Sequence, residues 1–329
     1  MSTNQVTEYP AHVGYARETR KAFFTDTSVC IGCKACEVAC KEWNRNPVEG
    51  YELSGNSYDN TGSLGADTWR HVAFIEQDHE RIEQARESGR RLTGLGMPTI
   101  GDPSQQQEEQ PHPDTPDFRW LMSSDVCKHC TNAGCLDVCP TGALFRTEFG
   151  TVVVQDDVCN GCGTCVAGCP FGVIERRADG GVQKRNSREG EDFTEGVHAP
   201  TRNIGVAQKC TLCYDRLKDG LAPACQKACP TESIQFGDRD EMLRRAHERL
   251  ATLHAQGRTE ARLYGANELD GVGGTGSIFL LLDAPEVYGL PPDPRVPTAD
   301  LPEMAKKAAL AAAGMVAAVV GSFLIGARA

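Results

Sequence analysis

Sixteen cysteines in a chain of 329 residues fall into four groups of four, with none left over. The first group, Cys30, Cys33, Cys36 and Cys40, occupies eleven residues of "VCIGCKACEVACKEWN" with the spacing C-x2-C-x2-C-x3-C. Three thiolates so close together suit a compact polynuclear cluster. A tetrahedral zinc site takes one C-x2-C pair from one loop and a second pair from a separate segment. The second group is Cys127, Cys130, Cys135 and Cys139, followed by Pro140. The third, Cys159, Cys162, Cys165 and Cys169, restores the 2-2-3 spacing and is followed by Pro170. The fourth, Cys210, Cys213, Cys225 and Cys229, has a wide middle gap and precedes Pro230.

The 2-2-3 run is the spacing of the bacterial ferredoxins, whose fourth cysteine reaches across to a different iron–sulfur cluster. Four such groups predict four 4Fe–4S clusters whose motifs pair two by two. The second and third motifs adjoin and form one dicluster lobe, which leaves the first and fourth for the other. In the inner lobe Cys127, Cys130 and Cys135 share a cluster with Cys169, and Cys159, Cys162 and Cys165 share one with Cys139. In the outer lobe Cys30, Cys33 and Cys36 join Cys229, and Cys210, Cys213 and Cys225 join Cys40. Gly32 and Gly161 precede the second cysteine of their motifs, where a missing side chain lets the backbone curl and aim N–H groups at sulfur. The prolines fix φ and turn the chain away without offering a donor. The first motif departs from this pattern, with Lys41 in the proline's place.

The elements that position these motifs are short. "ALFRTEFGTVVVQDD", between the second and third groups, reads as a hairpin with a Glu-Phe-Gly turn. "SIQFGD" (233–238) reads as the matching strand after the fourth group. Residues 239–256 read as an amphipathic helix with Met242, Ala246, Leu250 and Leu253 along one face. The expected class is α+β, with two ferredoxin-like dicluster lobes in nested pairing. The outer lobe takes 22–87 and 204–240, and the inner lobe 118–176. Residues 88–117 and 177–203 are polar, turn-rich inserts without periodicity. A C-terminal extension with a Pro-rich linker covers 241–302, and an anchor helix 303–328.

The formal net charge of −11 excludes nucleic acid as a partner, since a nucleic-acid reader carries a basic face. A disulfide scaffold would be a short secreted chain with a signal peptide, and the first residues lack the apolar core of one. "GVGGTG" (271–276) is read as a plain glycine loop, because a dinucleotide fingerprint follows a strand and opens a helix, whereas this one leads into the strand-like "SIFLLLD". His129 is read as a neighbour that tunes a cluster, or as an exposed residue. Lys209, Arg216, Lys218 and Lys227 crowd the fourth group, so its cluster is not expected to be the most reducing of the four. No Ser/His/Asp or paired-carboxylate constellation nominates a catalytic residue.

Residues 308–327, "AALAAAGMVAAVVGSFLIGA", are twenty residues without a charge, eleven of them Ala or Gly. At about 1.5 Å per residue they cross a hydrocarbon core of about 30 Å, so a single transmembrane helix is expected. Ala313, Ala317 and Gly321 form a small-residue line for packing on another membrane helix. Lys306 and Lys307 before the segment, against Arg328 after it, favour a cytoplasmic cluster domain.

These features resemble the four-cluster iron–sulfur subunits of the dimethyl-sulfoxide-reductase-type molybdopterin oxidoreductases. They are most similar to the beta subunit of membrane-bound formate dehydrogenase. The likeness is carried by "CIGCKAC…CKEWN", "CGTCVAGCPF", "KCTLCYDRL", "PACQKACPT", "GVGGTG" and "YGLPPDP". The resemblance implies a subunit without substrate chemistry of its own. Such a subunit relays electrons from a molybdenum or tungsten pterin catalytic (alpha) subunit through four 4Fe–4S clusters to a membrane cytochrome b (gamma) subunit and quinone. It also implies the same nested pairing, and a cluster order running from the Cys159 group through the Cys127 and Cys210 groups to the Cys30 group. In the membrane-bound relatives the assembly faces outward, against the lysine signal. Two other readings share the cysteines. One is the iron–sulfur subunit of a dimethyl sulfoxide, nitrate or sulfur-compound reductase, and the other is a structural zinc protein.

Overall fold

Strand β1 (Lys21–Asp26) is buried along its length after Lys21, including Phe23 and Phe24, as a strand covered on both faces must be. The computed structural model describes residues 19–47, 61–94, 116–177 and 203–326. A short turn after β1 carries the first cysteine loop into helix α1 (Ala35–Asn44). Strand β2 (Arg70–Asp78) runs straight into helix α2 (His79–Gly94) and pairs antiparallel along its whole length with β3 (Phe118–Val126). Then follow α3 (Gly134–Asp137), β4 (Leu144–Arg146), β5 (Val152–Val154), α4 (Thr164–Gly168) and β6 (Glu175–Arg176). After 203 come β7 (Ala207–Gln208), α5 (Tyr214–Lys218), α6 (Ala224–Lys227), β8 (Ile234–Asp238) and α7 (Arg239–Ala255). The chain closes with β9 (Arg262–Tyr264), β10 (Ser277–Leu281) and α8 (Leu301–Gly326).

The main sheet has the order β8-β1-β10-β9, with β1 parallel to β10 and the outer pairs antiparallel. Helix α7 covers it with Met242, Ala246 and Leu253, the face expected from the sequence, while Leu250 is half-buried. The predicted hairpin is present as β4–β5, closed where Thr147 N–H donates to Thr151 O at 2.8 Å and Gly150 takes φ +76°. Around it Ala133, Leu144, Val152, Cys165, Ile174 and Ala207 make a second, smaller core. Mixed helix and strand content around two cores is an α+β arrangement.

Several boundaries differ from the sequence reading. Residues 241–302 are not an appendage: they supply β9 and β10, and β10 is a central strand with all five residues fully buried. Its near-continuous apolar run gives no alternation, and nothing local says that it will pair with β1. Residues 88–94 belong to α2 and not to the first polar insert. The buried stripe Ile82, Ala85, Gly89 ends on a glycine that reads as a breaker. There the missing side chain is required, since a Cβ would lie 2.2 Å from Thr259 O. Residues 95–115 lie outside the described residues, as do 178–202 of the second insert. The chain flanking that second insert is paired, β6 with β7, so residues 207–208 belong with the inner lobe.

Arg119 ties the β2–β3 ladder to the main sheet. Its guanidinium donates to Gln77 Oε1 at 2.8 Å, Glu260 Oε1 at 3.0 Å and Leu282 O at 3.1 Å, with the Glu260 side chain 1% exposed. Arg119→Met leaves that carboxylate buried with only the longer Arg258 contact at 3.5 Å. Breaking one side of a buried pair costs about 3 kcal/mol. Denaturant unfolding of the anaerobically purified protein should show that loss, and an unchanged midpoint would show the tie to be idle.

Candidate metal centres

Two cysteine-lined cavities take thiols from distant parts of the chain. Cys30, Cys33, Cys36 and Cys229 line a space of about 300 Å³ together with Ser124 and Ser233. Cys30 and Cys33 come from the loop between β1 and α1, Cys36 from the first turn of α1, and Cys229 follows α6. The loop is shaped at its start by Asp26, whose Oδ1 accepts from Ser28 N–H at 2.9 Å. Left-handed residues then reverse it, Gly32 at φ +63° and Lys34 at φ +59°. A Cβ on Gly32 would lie 2.6 Å from Met122 Sδ and from Phe74 Cε1, so glycine is needed there for space as well as for φ. Cys127, Cys130, Cys135 and Cys169 line the second space, of about 350 Å³, with His129, Gly134, Phe171 and Lys209.

The remaining eight thiols gather into two further quartets. Burial pushes Cys40 well up, reinforced by the neighbouring thiols of Cys210, Cys225 and Cys213. Burial and then Cys159, Cys139 and Cys162 push Cys165 up to about 11. In the first two quartets the same causes act: burial first for Cys130, then Cys127, Cys135 and Cys169. Cys36 rises to about 11, mainly by burial, although Arg70 opposes it. Cys139 goes the other way. Burial raises its pKa, but N–H donation from Leu144, the Thr141 hydroxyl and the Thr141 and Ala143 amides outweighs that. Sulfurs that resist losing their protons alone, yet face one another across a small space, form a donor set suited to a cationic, sulfur-loving group. Among the described residues no three Cys, His, Asp or Glu side chains converge on one metal-ion position. Two quartets instead line a space of the kind a polynuclear cluster requires, the other two bring four thiols within electrostatic reach of one another, and the residues fit four 4Fe–4S groups.

The quartets also touch in sequence. Cys165 raises Cys135, Cys127 raises Cys210, and Cys225 raises Cys36. That places the Cys159 quartet beside the Cys127 quartet, then the Cys210 quartet, then the Cys30 quartet. Two cysteines of the sixteen are exposed, Cys162 in the first of these and Cys33 in the last.

The surroundings hold residues the sequence pattern did not single out. "GVGGTG" leads into β10 as expected of a plain loop, but it also clamps the second cysteine loop. Thr131 N–H donates to Gly274 O at 3.0 Å, Asn132 N–H to Val272 O at 2.8 Å, and Gly276 N–H to Lys128 O at 2.8 Å. Gly273 and Gly274 take φ +71° and +73° to do so. His129 is buried. Its Nδ1 accepts from Val152 N–H at 3.1 Å, so Nε2 carries the proton and is left without a partner. Burial, then Lys209, Arg146 and Arg20, hold its pKa well below the usual imidazole range, so the ring is neutral. The four cations expected to crowd the fourth motif divide. Lys209 is buried, its ammonium on the carbonyls of Val152 and, at 3.0 Å, Cys210, and it lines the inner cavity. Arg216 stacks 4.2 Å over Trp43, Lys218 lies 5.0 Å over Tyr214, and Lys227 is exposed. The fully buried guanidinium among the outer sulfurs is Arg70, at the start of β2, which no spacing rule marks.

Comparison with known proteins agrees with this geometry. The profile of the 4Fe-4S dicluster domain matches residues 118–197 and 195–239, and a second dicluster profile matches residues 29–143. The formate dehydrogenase, nitrate-inducible, iron-sulfur subunit of Escherichia coli K12 is 35% identical over 324 residues, 97% of this chain and 88% of that protein. The formate dehydrogenase iron-sulfur subunit of Haemophilus influenzae is 34% identical over 292 residues, 87% of this chain and 73% of its own length. The B polypeptide of the anaerobic dimethyl sulfoxide reductase of Escherichia coli K12 is 28% identical over 242 residues, 71% of this protein and 81% of its own length.

Gly161, in the loop before Cys162, has φ +72°, and a Cβ there would lie 2.5 Å from Gly205 O. Gly161→Ala therefore meets both backbone strain and a carbonyl that cannot swing aside, together about 2 kcal/mol. Iron analysis should show partial loss of one cluster per chain, and thermal melting a lower midpoint. Wild-type values of both would mean that the loop shifts freely.

Proposed function

The chain belongs to the iron–sulfur subunits of formate dehydrogenase, and from that premise we propose that its four thiol quartets are the successive stations of one electron relay. Electron transfer through four 4Fe–4S clusters is the function of the chain. The proposal adds which residues hold which station, in what order, and between which partners. Each 4Fe–4S group, when bound, exchanges an electron at a potential that its surroundings set, within roughly −700 to +450 mV.

The stations are Cys139, Cys159, Cys162 and Cys165; then Cys127, Cys130, Cys135 and Cys169; then Cys40, Cys210, Cys213 and Cys225; then Cys30, Cys33, Cys36 and Cys229. The observation that carries this order is the pattern of contact and exposure. Each quartet neighbours the next, and the two exposed cysteines stand at opposite ends of the series. An interior station must keep water off its sulfurs, whereas an end station must meet a partner. The first station receives electrons from a molybdenum or tungsten pterin subunit that oxidises formate. The last delivers them to a membrane cytochrome b and quinone.

Helix α8 supports the membrane end of this reading. Its stretch Glu303–Gly321 is long and apolar enough to cross a membrane and is unburied by the rest of the chain, with Leu310 and Met315 open. As a single-pass anchor it would hold the last station near the bilayer, and its line of Ala313, Ala317 and Gly321 would pack on a partner's helix. The residues themselves do three things in the relay. They hold sulfur at fixed separations, exclude water from the two middle stations, and supply N–H donors and fixed charge around each.

Anaerobic purification of the native complex, followed by EPR before and after formate, tests the reading. Formate should reduce four distinct 4Fe–4S signals. Reduction by dithionite alone would leave the relay standing but make the partner's substrate something other than formate. Cys130→Ser should alter one signal while leaving the Cys30 station's signal in place, and a change spread evenly over all four would overturn the ligand sets.

A further inference from the structure

Arg70 is buried at 1% exposure, the largest fully buried side chain among the described residues, and sits where β2 begins opposite Val126. Its Nη1 donates to Ser124 O at 3.2 Å and Ser124 Oγ at 2.9 Å, and Ser124 Oγ lies in turn 3.2 Å from Cys36 Sγ. The Phe23 ring lies 4.8 Å from the guanidinium carbon. Nε and Nη2 have no hydrogen-bond partner. Among the described residues no carboxylate pairs with it. Its titratable neighbours are instead the thiols of Cys225, Cys36, Cys210 and Cys40. A guanidinium keeps its proton at any ordinary pH, so the group carries its charge into the interior.

An isolated buried cation costs far more than a fold of this size can carry, so something anionic must face it. The four sulfurs around it come from two different quartets, Cys36 from the last station and Cys40, Cys210 and Cys225 from the third. We propose that Arg70 is the counter-cation shared by these two outer stations, its unpartnered Nε–H and Nη2–H available to the clusters those sulfurs would hold, and that it raises the reduction potential of both. This inference rests on the ligand sets proposed above.

The physical step is a plain one. A cluster with its thiolates is anionic and gains one further negative charge when it takes an electron. A fixed positive charge beside it, out of water, stabilises the reduced form more than the oxidised one. A guanidinium is suited to serve two neighbours at once, because its donors diverge in a rigid plane and its proton is not lost on oxidation. A purely structural Arg70 would only pin β3 through Ser124 and would leave the potentials alone.

Potentiometric EPR titration of the whole complex separates these roles. Arg70→Gln keeps a donor but no charge, and Arg70→Lys keeps the charge but not the fork. In Arg70→Gln, at any fixed potential, the reduced-to-oxidised ratio of two of the four signals should fall at least tenfold, equivalent to about 59 mV for a one-electron couple. The other two should stay within threefold of wild type, and Arg70→Lys should bring the affected pair back most of the way. Unshifted potentials in Arg70→Gln, a shift shared by all four signals, or a lysine variant no better than the glutamine one would overturn the proposal. If Arg70→Gln does not retain its iron, the native complex labelled with nitrogen-15 in its arginine side chains decides the matter. Spin-echo nitrogen couplings on the outer signals, lost in Arg70→Lys, uphold it, and their absence overturns it. Fewer than four signals in the wild-type complex would fault the ligand sets instead, before Arg70 is in question.

Discussion

Thiols facing thiols out of water are the constraint on which this molecule turns. Burial first and the neighbouring sulfurs second raise the pKa of Cys36, Cys40, Cys130, Cys135, Cys165 and Cys210, so these thiols resist ionising alone and a bound cationic group would relieve them. The polypeptide must therefore bring sulfurs together that its local chemistry would keep apart. It does so with segments from opposite ends of the chain. Helix α1 packs on α6, so that Cys40 meets Cys225, and β1 pairs with β8 just after Cys229. Secondary structure here is short and sparse because its task is to pin loops. The sheet that does most of the pinning is the best-buried part of the molecule.

The same constraint explains why the glycine loop at 271–276 lies where it does. A cysteine loop that aims its N–H groups inward at sulfur leaves its carbonyls pointing outward, and those need donors. The backbone of 272–276 answers the second motif on both counts, accepting from Thr131 and Asn132 and donating to Lys128 O. The loop then continues directly into β10, so the wall of the inner cavity and the central strand of the main sheet are one continuous segment. Strain at a cluster loop is thereby transmitted to the core that both lobes share. Cys127 packs into the large core and Cys169 lies against both cores, so the junction between the lobes is itself a pair of cysteines.

What could be read from sequence follows how local each feature is. The cysteine spacing, the β4–β5 hairpin, the left-handed glycines at 32 and 161 and the apolar face of α7 are written within a few residues of themselves, and each was legible. The partners of β1 were half legible, because "SIQFGD" is a visible strand, whereas the pairing of β10 with β1 depends on residues far away in the chain. The end of α2 was hidden because its last buried position is Gly89, where packing demands the residue that propensity disfavours. Charges were the least legible. Of the cations near the fourth motif in sequence, Arg216 does stand beside Cys213 while it stacks on Trp43, whereas Lys218 lies over Tyr214 and Lys209 faces the other lobe. Arg70, remote from every motif, lies among the sulfurs of two. Burial of a cation is a tertiary fact, and no local pattern encodes it.

The distribution of those cations sets how each station of the proposed relay would compensate an added charge. The first station meets water through Cys162, and water can compensate the charge of an added electron there. The second has Lys128 nearby, but that ammonium is already engaged by Asp125 and by Val126 O at 2.9 Å, and it lies over Phe171 and Phe279. Lys209 stands at the handover, lining the second station's cavity while its ammonium bonds the carbonyl of Cys210, a ligand of the third. The third and fourth stations face Arg70, which has no ion-pair partner among the described residues, while the Asp215 carboxylate lies near Cys213. Compensation thus passes from solvent to a neutralised lysine, to a lysine shared across the boundary, to an unneutralised arginine. Water serves the two exposed ends of the series and fixed cations serve its interior, so an added electron at any station of the proposed relay is met by compensating charge from one source or the other.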